Sequence, residues 1–130
     1  MASIFTRIIN GEIPSYKIAE NDQFLAILDA FPLVKGHVLV IPKVEVDKLF
    51  ELDKSTYTGL MDFAYDIAQA VEKAIPCLRV GVAVIGLEVP HVHVHLVPLN
   101  TVNDINFTQP KLKVESEEMI QIAEKIKSYL

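Results

Sequence analysis

The chain has 130 residues, 51% of them hydrophobic and 22% charged, with a formal net charge of −5 and a single cysteine, Cys77. Such a length buries roughly two thirds of its unfolded surface in one core, and the absence of any Ser/Gly/Pro tract or like-charge block leads us to read residues 1–130 as one domain. No apolar run approaches the roughly 20 residues that span a bilayer, and the 12 basic residues are scattered rather than clustered, which argues against a membrane span and against a nucleic-acid partner.

In chain order, Ser3 to Asn10 places Ile4, Phe5 and Ile8 on one helical side, and Gly11 follows where helices commonly terminate. Tyr16 to Glu20 and Gln23 to Asp29 are β-rich and separated by the turn pair Asn21-Asp22, so a hairpin is expected. His37 to Ile41, between Gly36 and Pro42, is apolar on both faces apart from His37, as in a covered strand.

From Ser55 to Ile75 the period changes. Leu60, Phe63, Ala64, Ile67, Val71 and Ala74 recur at three- and four-residue steps, one stripe of an α-helix that Pro76 stops. Arg79 to Ile85 and Val89 to Val97 read as two strands joined across Gly86. Glu117 to Tyr129 reads as a closing helix with Ser116 as N-cap, acids in its first turn and Lys125 and Lys127 near its end. The expected class is α+β: an antiparallel sheet with one long helix and terminal helices.

Three of the four histidines occupy alternate positions in His91-Val92-His93-Val94-His95. On a strand they would share one face, about 6.6 Å apart at the backbone. Exposed polar positions on a half-buried strand would account for the alternation alone. Two same-face imidazoles also suit zinc, with His37 or Glu88 as a further ligand. Equally, neutral imidazole is a competent nucleophile toward phosphorus, and neighbouring imidazoles supply the orienting and charge-neutralising groups that such a displacement needs.

Four segments in order narrow these alternatives: Ser3-Ile4-Phe5-Thr6-Arg7-Ile8-Ile9-Asn10-Gly11-Glu12-Ile13-Pro14, Leu28-Asp29-Ala30-Phe31-Pro32, Gly36-His37-Val38-Leu39-Val40-Ile41-Pro42-Lys43, and His91-Val92-His93-Val94-His95-Leu96-Val97-Pro98. Across about residues 3 to 98 the chain resembles the histidine triad superfamily, in its Hint branch of nucleotide-binding phosphoramide hydrolases. The resemblance implies a purine nucleotide conjugate as substrate, with His93 attacking its α-phosphorus and water hydrolysing the nucleotidyl-histidine. It implies that His95 contacts the phosphate and the leaving group, that His91 and His37 orient His93 and relay protons, and that Asp29 meets the ribose hydroxyls. Ile4, Phe5, Ile8, Ile27, Leu28 and Leu39 match base-pocket positions. The resemblance also implies a homodimer, paired through the long helix and the strand Arg79 to Ile85. No cofactor is expected. A non-catalytic purine-nucleotide-binding module and a metal-binding histidine site remain the alternatives.

Two departures from the family pattern stand out. Many bacterial relatives hold structural zinc with two cysteines and a histidine where this chain has Ser3, Thr6 and Glu45, so no metal is expected here. The phosphate-binding loop before the triad is reduced to Ile85-Gly86-Leu87-Glu88-Val89-Pro90, which places Leu87 and Glu88 at donor positions and a proline without an N–H beside them. The first ten residues lack the features of a secretory signal, and Cys77 alone forms no internal disulfide, so a cytoplasmic location is expected.

Overall fold

The computed structural model describes residues 2–130; Met1 lies outside them. Its centre is a five-stranded antiparallel sheet in the order β1-β2-β3-β5-β4, formed by Lys17–Glu20 (β1), Phe24–Leu28 (β2), Val38–Pro42 (β3), Arg79–Ala83 (β4) and Val94–Leu99 (β5). Three α-helices complete it: Ile4–Ile9 (α1), Lys54–Ala74 (α2) and Ser116–Lys127 (α3). The mixed class expected from the pattern is the one observed. No described helix is long and apolar enough to cross a membrane.

Strand alternation divides the sheet between two cores. Phe24, Ala26, Leu28, Val38, Val40, Val94 and Leu96 pack against the apolar stripes of α2 and α3. Their neighbours Leu25, Ile27, Leu39 and Ile41 pack on the other side with Phe5 of α1. Every residue of β2 and β3 is therefore buried, and the second face, where α1 covers only part of the sheet, is the face on which the histidines collect.

Local signals set the element ends. The Asn21 carboxamide oxygen accepts from the N–H groups of Gln23 and Phe24 at 2.9 and 2.8 Å, closing the β1–β2 turn. Asp53 caps α2 by accepting from Thr56 N–H at 2.7 Å. Helix α1 ends in a Schellman arrangement: Gly11 N–H donates to the Ile8 carbonyl and Glu12 N–H to that of Arg7, with Gly11 at φ +79°.

The structure departs from the expected boundaries at three places. Helix α3 begins at Ser116 itself, so the N-cap position falls to Glu115, and the Ser116 hydroxyl instead accepts a 2.9 Å bond from the Tyr16 phenol. Strand β4 ends at Ala83 rather than Ile85 and forms a half-open sheet edge, with Val82 at 54% exposure. Strand β5 begins only at Val94, so residues 84–93 form a loop rather than a tight turn at Gly86. Pro90 offers no N–H, His91 N–H turns back to the Val89 carbonyl, and Val92 N–H goes to the Val46 carbonyl at 2.8 Å, which draws the chain out of the ladder.

Candidate active site

That departure reorganises the histidine run. Only His95 stands on a strand, paired with Leu39 of β3 and Ala83 of β4. His93 and His95 keep a common face, with ring centroids 4.8 Å apart, and both line a cavity of about 450 Å³. His91 does not line it. Its ring is fully buried behind the site and meets Phe5 edge-on at 5.8 Å.

Hydrogen bonds assign the proton on each ring. His93 Nδ1 lies 2.8 Å from the His91 carbonyl oxygen, an acceptor only, so Nδ1 carries the proton and Nε2 keeps its lone pair. His91 therefore reaches His93 through its backbone and not through its ring. His37 Nδ1 accepts from Leu33 N–H at 3.1 Å, which puts the His37 proton on Nε2; this nitrogen lies 2.9 Å from His95 Nδ1 and donates to it. His95 must then carry its own proton on Nε2. The chain Leu33, His37, His95 is thus a directed set of hydrogen bonds that ends in an N–H donor, with the unprotonated nitrogen of His93 on the same face.

Burial keeps these imidazoles neutral. Loss of hydration lowers His37 to about 3 and His95 to about 4, each helped by a neighbouring histidine and by the Lys111 ammonium. His93 is also lowered, chiefly by burial, against opposing contributions from its bond to the His91 carbonyl and from the carboxylates of Asp29 and Glu88. At neutral pH the site therefore presents an unprotonated Nε2 on His93 with no competing imidazolium.

Asp29 follows β2. Its Oδ1 accepts from Phe31 N–H at 2.9 Å, so it does cap the turn, while Oδ2 lies 3.7 Å from His37 Nε2 and the side chain lines the cavity. Burial raises its pKa above the usual aspartate range. The expected apolar residues Ile4, Phe5, Ile8, Ile27, Leu28 and Leu39 all line the same cavity, and Phe5 meets the His93 ring edge-on at 4.8 Å. Glu88 lines it from the loop.

Behind His91, the positions read against structural zinc form a hydrogen-bonded cluster. Ser3 Oγ–H donates to His91 Nδ1 at 2.7 Å, and His91 Nε2–H donates to the Pro42 carbonyl at 2.7 Å. Glu45 Oε1 accepts from Ser3 N–H at 2.7 Å and from the Thr6 hydroxyl at 2.6 Å. These bonds satisfy His91 completely, and serine and threonine hydroxyls are poor zinc ligands. Among the described residues, the one group whose ligand atoms converge within 4.8 Å is Asp29, His37 and His95. It is not the His91-His93-His95 row that the spacing suggested, and both nitrogens of His37 are already engaged in hydrogen bonds.

Phe107 and Lys111 are lining residues without a counterpart in the sequence reading. Phe107 packs edge-on against His95 with centroids 4.6 Å apart, and Lys111 follows one turn-length later in the same irregular segment. Neither sits on a periodic element, so no local pattern marks them; their only signal is an aromatic and a lysine in the aperiodic stretch after β5.

With this geometry in hand, comparison with known proteins finds that the HIT domain family model matches residues 10–102. The chain belongs to the HIT domain family. An adenosine 5′-monophosphoramidase of Schizosaccharomyces pombe is 32% identical over 130 residues, 98% of each chain. A protein of the same name from Saccharomyces cerevisiae is 38% identical over 98 residues, 75% of this chain and 62% of the yeast one. Among solved structures, a HIT-like protein from Bartonella henselae described as involved in cell-cycle regulation superposes with a TM-score of 0.87 at 29% identity, covering 98% of this HIT chain and 96% of its own.

Proposed function

We propose that this HIT protein hydrolyses nucleoside 5′-phosphoramidates, with a purine nucleotide held in the cavity and His93 as nucleophile. The observation that carries the proposal is the 2.8 Å bond from His93 Nδ1–H to the His91 carbonyl. It leaves Nε2 unprotonated in the cavity wall, beside the Nε2–H donor of His95. The two phosphoramidase relatives support the substrate class.

In the first step His93 Nε2 forms a bond to the α-phosphorus as the phosphorus–nitrogen bond breaks. The departing amine takes a proton through His95, whose Nδ1 is held by His37. In the second step water attacks the same phosphorus, the bond to His93 breaks, and the proton lost by water restores the site. The sum is phosphoramidate plus water giving nucleoside monophosphate plus amine. The base would lie among Ile4, Phe5, Ile8, Ile27, Leu28 and Leu39, and Asp29 would accept from the ribose hydroxyls. His91 acts as a backbone acceptor and His37 as the partner of His95, a different division of labour from two rings acting on His93.

We also read the protein as a cytoplasmic homodimer. The half-exposed edge strand β4, with Leu78, Val82 and Ile85 open in the single chain, supports the pairing surface, and sedimentation of a concentration-independent monomer would overturn it.

The test is incubation with adenosine 5′-phosphoramidate. AMP should be released, an adenylyl group should be trapped on His93, and His93→Ala should lower kcat at least about 10³-fold while still binding AMP. Binding without turnover or adenylylation would leave a nucleotide-binding module. Turnover abolished by a chelator and restored by one metal would favour an ion at Asp29, His37 and His95 instead.

A further inference from the structure

The charges in the cavity wall are unevenly placed. Among the described residues, the wall holds the carboxylates of Asp29 and Glu88, the imidazoles of His37, His93 and His95, and one ammonium, Lys111. The imidazoles are neutral at pH 7 for the reason given above. A phosphoryl group entering this cavity therefore meets one full positive charge, and the loop Ile85–Pro90 beside the triad offers no side-chain hydroxyl or amide.

Lys111 is an exposed lysine whose side chain is held at the cavity wall. Its ammonium donates to the Phe107 carbonyl at 3.1 Å and lies 5.4 Å from the Phe107 ring centroid, while that ring packs on His95. The next residue, Leu112, donates its N–H to the Pro32 carbonyl at 2.9 Å, which fastens the strap to the loop between Asp29 and His37. No described carboxylate lies within ion-pair distance of Lys111. One of the three N–H donors is used by Phe107; the others have no protein partner among the described residues. The field of Lys111 is felt at Asp29, His37 and His95, whereas that of Glu88 is felt at His93.

We propose that Lys111 is the phosphate-binding residue of this site, donating to the non-bridging oxygens of the nucleotide's α-phosphoryl group. It supplies from the strap after β5 the positive charge that the shortened loop before the triad does not supply. This placement rests on the nucleotide reading above. A lysine suits the task as a point charge with donors that rotate toward oxygens whose positions change during displacement.

Binding of AMP and of adenosine, measured by calorimetry on the full chain, separates this role from a structural one. Lys111→Met should weaken AMP by about 10- to 100-fold, the range for loss of a charge-assisted hydrogen bond, and leave adenosine unchanged. Lys111→Arg should restore most of the AMP affinity, and Lys113→Met, which alters a lysine outside the cavity wall, should change neither. Equal losses for AMP and adenosine would make Lys111 a strut of the strap and overturn the proposal, as would unchanged AMP binding. Turnover of adenosine 5′-phosphoramidate judges the catalytic reading separately: a wild-type protein that binds AMP but releases none from the phosphoramidate refutes that reading and leaves the Lys111 comparison intact. A protein that binds neither AMP nor adenosine refutes both.

Discussion

Ser3 Oγ lies 2.7 Å from His91 Nδ1, a contact between residues 88 positions apart that ties the first helix to the segment behind the histidine-lined cavity. Ser3 is both the N-cap of α1, accepting from Thr6 N–H at 3.0 Å, and the donor to a fully buried ring. The carbonyl of that same His91 holds His93 Nδ1–H, so the position of the proposed nucleophile depends on how α1 begins.

Removing this donor should therefore affect stability and rate together. Ser3→Ala leaves a buried imidazole nitrogen unsatisfied and removes a helix cap, at a cost of about 1–3 kcal/mol. Urea unfolding should report that loss, and kcat should fall with AMP affinity nearly unchanged. Ser3→Thr, which keeps the hydroxyl, should recover both. Equal stability and rate for Ser3→Ala would show that the contact holds nothing in place.

The acid dependence of stability follows from the neutral histidines. Unfolded, His37 and His95 titrate near 6.5; folded, they do so at about 3 and about 4. Between those values the unfolded chain binds protons that the folded chain does not, so folding weakens as pH falls from 6.5 toward 4. Each histidine contributes a slope of up to about 1.4 kcal/mol per pH unit across this window. Melting temperature measured from pH 7 to pH 4 should drop steeply in the wild type and less steeply in His37→Gln. Turnover should also decline below pH 6.5 as His93, itself lowered, becomes protonated.

Asp29 provides a test of the proposed contact to the ribose hydroxyls. In Asp29→Asn the Oδ1 cap to Phe31 N–H can persist, while the charge that faces the cavity is lost. The KM for an adenosine-based phosphoramidate should rise about tenfold or more, and that for the 2′,3′-dideoxy analogue should hardly move. The same rise for both substrates would place the effect elsewhere than the hydroxyls.

Gly36 directly precedes His37 and packs too closely to admit a side chain. It sits at φ +93°, and a Cβ there would meet Ile75 Cγ1 at 2.8 Å and Pro98 Cγ at 3.3 Å. Gly36→Ala should cost about 1–3 kcal/mol and, by shifting His37, weaken the hydrogen bond to His95. The expected readout is a lower melting temperature with a lower kcat. Wild-type values for both would show that the loop adapts freely.

Much of the architecture could be read along the chain because the relevant signals are local. The stripe of Leu60, Ala64, Ile67 and Val71 needed only the 3.6-residue period, and the Asn21 turn only the reach of a short side chain. The residues that reading placed around the nucleotide also fall on one cavity, because Ile27, Leu39 and His95 alternate on paired strands and so must share a face.

The order of residues settles which side chains are available: four histidines, an aspartate before a turn and an apolar set on α1, β2 and β3. Which atoms face which was decided by tertiary structure. Pro90 and the capture of Val92 N–H by Val46 carry His91 out of the ladder, so three histidines at even spacing become two rings in the cavity and one behind it. Proton positions depend on partners that are distant in sequence, with Leu33, His37 and His95 joined across 58 residues at their widest bond. Phe107 and Lys111 come from a segment without periodicity, and only the anchoring of Leu112 to Pro32 brings them to the site. Turn and cap bonds and the alternation of side chains along one strand are short-range and leave a mark in the sequence; the meeting of separate segments is a property of the packed chain.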